Sequence, residues 1–550
     1  MDLLSFQVQT ALFLAIVLVT ICYLKKSKEN SNLSHQIIAP EPPGAWPIIG
    51  HLHLLSGPTP LARTLGALAN KHGPIFSLRL GTHQALVISN MELIKQCFTS
   101  NDRVFATLPN TAVGQHIGYA NAVFGLAPYG SYWRYIKKLV TLQLMTATQL
   151  EKLKPLRSSE VGYFIKNLYQ RVFGPVEMTI HHNEVIDRAL KGIKTDLSPG
   201  HALHYSKNVI TLNSCLEDLT FNIITRILVG KRFSSGESSE LKFKEGVKKA
   251  LYLSGVFVLS DAISILEWFD VGGYLKKMKE TAKELDQVLE EWLQERIEMR
   301  KRCGIEETDQ SDFVDVMLSA LPEGENVFGF KRETVVKATM LILILTGSES
   351  TAETLTWAIS LLLNNNHAFT LAQEELDAKV GMNKWVEESD IKNLHYLQSI
   401  IKETLRLYPP GPLAGPHQAT KDCNIGGYYV PKGTRLIVNL WKLHRDPNVW
   451  IDFNEFRLER FLNEHRNVDF KGKHFEYIPF GAGRRMCPGM TFGLQVVHLT
   501  LARLIQGFNI STYMGGPVDM GEGLGIALPK LKPLEVVLTP RLAHELYENL

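Results

Sequence analysis

The sequence contains few cysteines and carries almost no net charge. Its six cysteines are far apart, and no two of them form a CxxC pair. This spacing argues against a disulfide scaffold and against a zinc site. The 59 Lys and Arg residues nearly balance the 56 Asp and Glu residues, which leaves a net charge of +3. We therefore expect no nucleic-acid partner bound through bulk charge.

The chain also lacks internal repeats, low-complexity tracts and a second long apolar run. Hydrophobic residues make up 45% of its 550 residues, and charged residues make up 21%. These values are ordinary for a globular protein. They exclude a wholly disordered chain, a collagen-like chain and a transporter with many spans.

The N-terminus carries one apolar segment with the length of a membrane span. Leu3 to Leu24 contains no charged residue, and Lys25, Lys26 and Lys28 follow it. Such a helix would be about 33 Å long, enough for the bilayer core. Positive charge after the segment predicts an uncleaved signal anchor with the following chain in the cytosol. The alternative, a cleaved secretory signal, normally has its positive charge before the apolar core.

The remaining chain divides into a linker and a body. Residues 1–24 are expected to be the anchor, and residues 25–50 are basic and then rich in proline. Proline cannot continue a helix or a central strand, so the linker should be a stiff spacer. Residues 51–550 are expected to form one large domain. The region Phe173–Asn208 contains several histidines, and the sequence assigns it no role.

Hydrophobic spacing predicts a mainly α, α+β body. Leu285 to Leu293 follows the spacing of an amphipathic helix. Glu333 to Asn364 contains no proline and should form one long helix whose apolar centre crosses the interior. A further helix is predicted over Ile391–Leu407, before Pro409. Short strands are predicted in three places: Phe76–Ser89, Tyr428–Val430 and Arg435–Leu440.

One cysteine lies in an unusual context. Cys487 follows Pro479-Phe480-Gly481-Ala482-Gly483-Arg484-Arg485-Met486 and precedes Pro488-Gly489. A loop so rich in glycine lets backbone N–H groups point at the sulfur, and Arg485 and the following helix N-terminus add positive potential. These features predict a metal-bound thiolate with a depressed pKa. The alternative is a buried structural cysteine in a glycine-rich turn.

This loop resembles the haem-binding loop of the cytochrome P450 monooxygenases. Phe480, Gly483, Arg485, Cys487 and Gly489 fill the five characteristic positions. The resemblance implies the cytochrome P450 fold, with a long central helix and a small β-rich region. It also implies that the cofactor is haem b, that Cys487 is the axial thiolate of its iron, and that Phe480 and Gly483 belong to the haem-binding loop.

A second element resembles the family's contact to the haem propionates. Trp133-Arg134-Tyr135-Ile136-Lys137 matches its W-R-x-x-R motif with lysine in place of the last arginine. Lysine keeps the positive charge and loses the bidentate fork. Arg485 is implied as another propionate partner. His417 stands where an arginine is common, which would make that contact pH-sensitive. Alternatively, Trp133 is an ordinary core residue and His417 an ordinary loop residue.

A third resemblance involves two motifs that have a structural role in the family. Glu403 and Arg406 form E-x-x-R, which places both on one helix face. The resemblance implies that they form a buried ionic cluster with Arg460. Leu458 stands in the position of the family's proline. Taken alone, such a pair is usually a solvated surface pair.

The centre of the predicted long helix contains an acid and hydroxyls. Thr346-Gly347-Ser348-Glu349-Ser350-Thr351 resembles the family's oxygen-activation motif. The implied catalytic residues are Glu349, Ser350 and Thr351, which would deliver protons for cleavage of the O–O bond, while Gly347 would make room for O₂. Thr346 replaces a smaller residue, and Ser350 replaces the usual threonine. The alternative is a core helix bent by hydroxyls that bond to its own carbonyl oxygens.

The segments Trp268–Arg296 and Gly427–Trp450 resemble plant endoplasmic-reticulum members of family 82, which oxidise alkaloids, flavones or terpenoids. The resemblance implies a monooxygenase anchored once in the endoplasmic-reticulum membrane, with its catalytic domain in the cytosol. It would use O₂ and electrons from NADPH–cytochrome P450 reductase to hydroxylate a small lipophilic metabolite. Substrate-facing segments are expected at Thr111–Val123, Leu345–Thr346, Leu413–Gly415 and Leu524–Ile526.

The expected substrate, by analogy, is a benzylisoquinoline-type alkaloid. A flavone or terpenoid hydroxylase of the same class is one alternative. A haem-thiolate isomerase or dehydratase that needs no reductase is another, although such relatives usually lack the acid–alcohol pair formed here by Glu349 and Ser350. A third alternative is a non-catalytic haem protein.

Overall fold

The fold was obtained as a computed structural model. It describes residues 36–173, 209–233, 238–256, 258–263, 268, 270, 272–303, 312–513 and 515–550. The predicted anchor, the linker up to residue 35, and residues 174–208 of the histidine-containing region lie outside the described residues. The division into anchor, linker and catalytic domain stays a prediction.

Helices dominate the described chain, in agreement with the predicted mainly α class. They are α1 Leu52–Leu55, α2 Leu61–His72, α3 Met91–Phe98, α4 Ala112–His116, α5 Ser131–Leu144, α6 Ala147–Lys152, α7 Lys154–Phe173, α8 Leu212–Val229, α9 Ser238–Gly255, α10 Tyr274–Cys303, α11 Phe313–Ala320, α12 Arg332–Leu363, α13 Asn366–Lys379, α14 His395–Leu407, α15 Leu440–Leu443, α16 Glu459–Leu462, α17 Met490–Gly507 and α18 His544–Glu548.

The predicted long helix is confirmed as α12, and it forms the centre of the main hydrophobic core. Met340, Leu341 and Ile344 are almost fully buried. Among the described residues, α12 is the one helix long and apolar enough to cross a membrane, but 61% of its apolar window is buried inside the protein. It is therefore a core helix that carries the candidate catalytic motif through the interior.

The strands form small sheets at the edge of the helical body. They are β1 Ile75–Leu80, β2 His83–Ile88, β3 Val209–Thr211, β4 Asn326–Val327, β5 Phe330–Lys331, β6 Leu413–Gln418, β7 Cys423–Ile425, β8 Tyr428–Val430, β9 Arg435–Asn439, β10 Phe508–Thr512 and β11 Glu535–Pro540. The largest sheet has the order β1-β2-β9-β6. β1 and β2 pair antiparallel with Ile75 opposite Ile88, whereas β2 and β9 pair in parallel. The strand structure predicted for Phe76–Ser89 is thus confirmed as β1 and β2.

Two predicted helices are present with different limits. The amphipathic pattern of Leu285 to Leu293 lies within α10, and Leu285, Leu289 and Leu293 are buried. The helix predicted from Ile391 begins only at His395. Residues Ile391–Asn393 form a separate 3₁₀ turn, and Leu394 has non-helical dihedral angles that interrupt the pattern.

The predicted ionic cluster is confirmed and fully buried. Arg406 donates two hydrogen bonds to Glu403, at 2.7 and 2.8 Å, and both side chains are 0% exposed. Arg460 lies 3.2 Å from the same carboxylate, and the backbone N–H of Arg457 also donates to it. Leu458 in the proline position therefore does not prevent Arg460 from reaching Glu403.

Loss of the Glu403 carboxylate should leave two buried guanidinium groups, those of Arg406 and Arg460, without their carboxylate partner. We expect Glu403→Ala to lower the free energy of unfolding by roughly 3–5 kcal/mol. Arg457→Ala is the matched control, because the side chain of Arg457 pairs with the half-exposed Asp452 and Glu464 and should contribute about 0–1 kcal/mol. Urea unfolding followed by circular dichroism measures both variants. Equal losses would contradict a special role for the buried cluster.

Candidate active site

The loop around Cys487 is held in place by backbone and side-chain hydrogen bonds. The Cys487 N–H donates to the Phe480 carbonyl at 3.0 Å, which closes the loop. Gly483 has φ +65°, and a Cβ there would lie 2.5 Å from Oδ1 of Asp102. Asp102 accepts from the Arg484 N–H at 2.9 Å. Gly483 therefore serves a left-handed turn in close contact with Asp102, a residue that the sequence did not single out.

The buried ionic cluster of Glu403, Arg406 and Arg460 also holds this loop in place. Arg406 donates to the carbonyl oxygen of His444 at 2.8 Å. The ring of His444 accepts the N–H of Ile478 at 3.1 Å, immediately before Pro479. Burial lowers the pKa of His444 to about 3, so its ring stays neutral and can accept this bond. His444 was also missed at the level of sequence, because no motif marks it.

The sulfur of Cys487 faces open space although the residue is deeply placed. The side chain is exposed, yet desolvation by the surrounding protein is the main cause that raises the pKa of its thiol. Exposure of the side chain and desolvation of its thiol are both expected where a side chain borders an internal space. The predicted depressed pKa is therefore wrong for the thiol without a metal. The N–H groups of Gly489 and Met490, together with Lys137, do lower the pKa, but burial outweighs them.

Two cations surround one indole ring beside this loop. The Lys137 ammonium lies 5.0 Å and the Arg485 guanidinium 4.5 Å from the ring centroid of buried Trp133. Lys137 donates to the Arg484 carbonyl at 2.6 Å. Arg485 donates to the carbonyl oxygens of Ala106 and Ala127. Within the described residues neither cation forms an ion pair with a carboxylate, so the pair is suited to bind an external anion.

Burial lowers the pKa values of both cations. Desolvation, and then the charge of Arg485, lowers the pKa of Lys137. Desolvation lowers the pKa of Arg485 to about 10. Arg485 therefore remains positively charged near neutral pH, which fits the implied contact to the propionates of haem.

His417 contributes no positive charge to this region. Its ring is buried and its Nδ1 lies 2.8 Å from the carbonyl oxygen of Phe105, to which it must donate. Burial, with the charge of Arg485 acting in the same direction, lowers its pKa to about 4. In these surroundings the imidazole is neutral near physiological pH and ties β6 to the loop at Phe105, while its contact with a propionate stays a prediction.

The motif on α12 presents one face to open space. Thr346 is exposed although its neighbour Leu345 is buried, and Ser350, one turn later, is partly exposed. Each hydroxyl donates to a carbonyl oxygen one turn earlier: Ser350 to Thr346 at 2.8 Å and Thr351 to Gly347 at 3.1 Å. The bonds expected for a bent core helix are thus present, and they place the hydroxyl of Ser350 on the open face.

Gly347 does not face the open space. A Cβ at this position would lie 2.8 Å from the side-chain end of Ile224 on α8. The glycine therefore allows close packing of α8 against α12, and the expectation that it makes room for O₂ is wrong in this structure. Leu345 is likewise buried in the core, and its contact with a substrate stays a prediction.

Glu349 points to a different side of α12. It lines a cavity of about 230 Å³ between α8, α9, α12 and the segment from Leu524 to Pro529. Its Oε2 is buried and has no hydrogen-bond partner in the protein. Desolvation, and then the negative charge of Glu217, raises the pKa of Glu349 to about 7. A carboxyl group with this pKa can both give and take a proton near neutral pH.

Close packing brings the motif on α12 near the helix that follows Cys487. The hydroxyl of Thr351 would lie 3.8 Å from a Cβ at Gly493, in the first turn of α17. The open sulfur, the open face of Thr346 and Ser350, and the unpaired cations fit a haem group with its iron on Cys487 and its propionates near Trp133. The expected substrate segments at Leu413–Gly415 and Leu524–Ile526 are partly or fully exposed, whereas Val123 is buried against α12.

The chain was compared with known proteins. The family model described as Cytochrome P450 matches residues 40–190 and 183–535. Xanthotoxin 5-hydroxylase CYP82C4 of Arabidopsis thaliana is 45% identical over 97% of this chain and 98% of that protein. Nicotine N-demethylase CYP82E3 of Nicotiana tomentosiformis is 44% identical over 96% of each chain. Flavonoid-6-hydroxylase of Ocimum basilicum is 44% identical over 100% of this chain and 99% of that one.

Solved structures agree with these relatives. A zebra fish cytochrome P450 with progesterone superposes with a TM-score of 0.68 at 25% identity, over 88% of this chain and 100% of that chain. The likeness to the cytochrome P450 fold and to family 82, predicted from the motifs, is thereby confirmed. The chain belongs to the cytochrome P450 family, with haem as its cofactor and monooxygenation as its class of activity.

Proposed function

We propose that this enzyme hydroxylates a lipophilic, ring-containing plant metabolite with O₂ and with electrons from NADPH, delivered by NADPH–cytochrome P450 reductase. The observation that carries the proposal is the pairing of an open cysteine sulfur with the acid–alcohol motif of α12. The relatives named above act on xanthotoxin, nicotine and flavonoids according to their names. None of those names points to a benzylisoquinoline alkaloid, so that narrower expectation is not favoured.

Each proposed site residue has a separate task. Haem held by Cys487 supplies the activation of O₂ and the insertion of one oxygen atom into a C–H bond. Trp133, Lys137 and Arg485 orient the haem through its propionates. Ser350 passes protons on the side of α12 that faces the open space, and Glu349 holds them on the side that lines the cavity between α8 and α9. His417, Phe480 and Gly483 shape the pocket, and Thr351 supports Ser350 from within the helix.

The proposal includes a membrane location. Residues 1–24 would cross the endoplasmic-reticulum membrane once, and Lys25, Lys26 and Lys28 would keep the catalytic domain in the cytosol. A membrane-bound enzyme would receive a lipophilic substrate from the bilayer and electrons from a reductase in the same membrane.

A reductase-independent isomerase or dehydratase is the second candidate within the family. Glu349 disfavours it, because its buried carboxyl group has a pKa of about 7 and lies on the same helix segment as Ser350. Such an isomerisation needs no protons from solvent, so a buried acid that costs folding energy would have no purpose there.

The choice between these candidates can be tested with microsomes that contain this enzyme. We expect NADPH-dependent product formation with at least one xanthotoxin-like, nicotine-like, flavonoid, terpenoid or benzylisoquinoline compound, measured by mass spectrometry. Omission of reductase should abolish it. A product that forms equally without NADPH and reductase would contradict monooxygenation and support the isomerase.

The ligand assignment predicts a spectroscopic change. We expect Cys487→Ser to abolish the thiolate-type Soret band of the reduced carbon-monoxide complex, because the alkoxide of serine is a poorer iron ligand. Cys423→Ser is the matched control. Cys423 is also a free cysteine, but it lies on β7, which pairs with β8 in a separate sheet. An unchanged spectrum in the Cys487 variant would refute the assignment.

The proton relay predicts that a change at Glu349 affects the rate of product formation and the substrate affinity differently. We expect Glu349→Gln to slow product formation by roughly 10²-fold, within the range of general acid–base effects, while substrate affinity changes little. Glu245→Gln, an exposed change on α9, is the control. Spectral titration measures binding, and single-turnover product analysis measures chemistry. If affinity falls and turnover of bound substrate does not, Glu349 is a binding residue instead.

A further inference from the structure

A second carboxyl group follows Glu349 on the same helix. Glu353 is one turn further along α12 and lines the same cavity. The sequence motif does not include it. Because residues four apart lie on one helix face, both carboxyl groups point toward the space between α8 and α9.

Glu353 is buried without a complete set of partners. The N–H of Lys530 donates to its carboxyl group, but Oε2 is inaccessible to solvent and has no hydrogen-bond partner in the protein. A buried carboxylate with an unpaired oxygen is costly, whereas a protonated carboxyl group can be held there at lower cost. The residue itself lines the cavity.

The lysines that line the cavity or lie beside Glu353 have other partners. Lys248 lies 2.6 Å from Glu217, and Lys244 is paired with Asp218. The ammonium of Lys530 donates to the carbonyl oxygen of Asp519. The remaining titratable group on the cavity wall is Tyr252. The wall therefore carries three carboxyl groups, and no lysine forms an ion pair with Glu349 or Glu353 in the described structure.

The two carboxyl groups of α12 titrate as a coupled pair. Desolvation, and then the charges of Glu349 and Glu217, raises the pKa of Glu353 to about 8, whereas that of Glu349 is raised to about 7. Because the negative charge of one carboxyl group opposes ionisation of the other, the two protons are lost in steps that belong to the pair. Near neutral pH the pair therefore retains one proton beside the active-site segment.

The cavity can hold the water that such a pair needs. Its volume of about 230 Å³ would accommodate several waters at about 30 Å³ each. Two exposed side chains, Tyr252 and Leu524, form part of its wall. The cavity that Glu349 and Glu353 line thus borders solvent on the side of α9.

We propose that Glu353 is a second proton carrier, which gives its proton to the Glu349 carboxylate and takes another from cavity water. The step is balanced: one O–H bond breaks at Glu353 and one forms at Glu349. A hydronium ion in the cavity then gives one proton to Glu353, which restores the acid and leaves water. This inference rests on the proposed monooxygenase function, because it supplies the protons that Glu349 and Ser350 pass on. Glu353 acts through Glu349 and is a positioning residue for the proton.

The test compares three variants of the full-length holoenzyme. Glu353→Gln keeps the shape of the side chain and removes the acid, Glu353→Asp keeps an acid, and Glu245→Gln is the exposed control. We expect Glu353→Gln to lower product formation roughly tenfold near pH 7, with substrate affinity unchanged and more O₂ lost as hydrogen peroxide. Glu353→Asp should restore much of the activity, because a shorter acid can still exchange protons with water.

Two readouts do not depend on turnover. The infrared band of a protonated carboxyl group near neutral pH should be lost in Glu353→Gln and remain in Glu245→Gln. In addition, the pKa of Glu353 is raised in the folded enzyme. Above pH ~4.5 the unfolded chain has released this proton, whereas the folded enzyme still binds it. Stability of the parent enzyme therefore falls as pH rises toward 8. The gain in Tm of Glu353→Gln over the parent should be small near pH 5 and grow toward pH 8.5.

Each outcome is decisive. If the infrared band and the pH-dependent gain in Tm are absent, Glu353 is not a proton carrier. If both are present and Glu353→Gln turns over at the parent rate with unchanged peroxide release, the carboxyl group is protonated but is not part of the relay. If the parent enzyme oxidises no NADPH with reductase, the proposed function fails together with the relay, whereas failure of Glu353 alone leaves parent turnover intact.

Discussion

Arg406 is fully buried between the Glu403 carboxylate and the carbonyl oxygens of His444 and Phe453. A guanidinium group in such a place must satisfy its donors, and it does so by fixing the backbone of segments far apart in sequence. His444 in turn accepts the N–H of Ile478, which precedes the Cys487 loop. The position of the sulfur thus depends on a buried charge pair more than 80 residues earlier in the chain.

The central helix resolves a second conflict between polarity and burial. α12 must cross the core, yet it carries an acid and several hydroxyls. The hydroxyls are satisfied by carbonyl oxygens one turn earlier, so they cost little. The carboxyl groups of Glu349 and Glu353 have no such local solution, and burial raises the pKa of each. A group that is difficult to ionise in the folded state is suited to proton transfer near neutral pH.

Near Trp133 the partly buried charged groups are cations instead of acids. Lys137 and Arg485 both lie over the indole ring of Trp133, and each donates to a carbonyl oxygen of a nearby loop. Their positive charge is uncompensated by carboxylates within the described part of the chain, and an anionic cofactor group would supply the missing charge. The segments Leu413–Gly415 and Leu524–Ile526, which are expected to face the substrate, are more exposed than this framework. This exposure is consistent with relatives of about 45% identity that have differently named substrates.

The sequence by itself determined the family, the haem-binding cysteine loop, the long helix and the ionic triad, because each is encoded by residues close together or by a motif with a known partner. Helix periodicity also placed Glu349 and Ser350 on α12. Only the tertiary structure decided which way these side chains point. It turned Gly347 toward Ile224, made His417 neutral by burial, and brought Asp102 and His444 to the cysteine loop. It also joined Glu353 to Glu349 in one cavity. Burial and pKa depend on atoms contributed by distant segments, and such long-range packing leaves no local pattern in the chain.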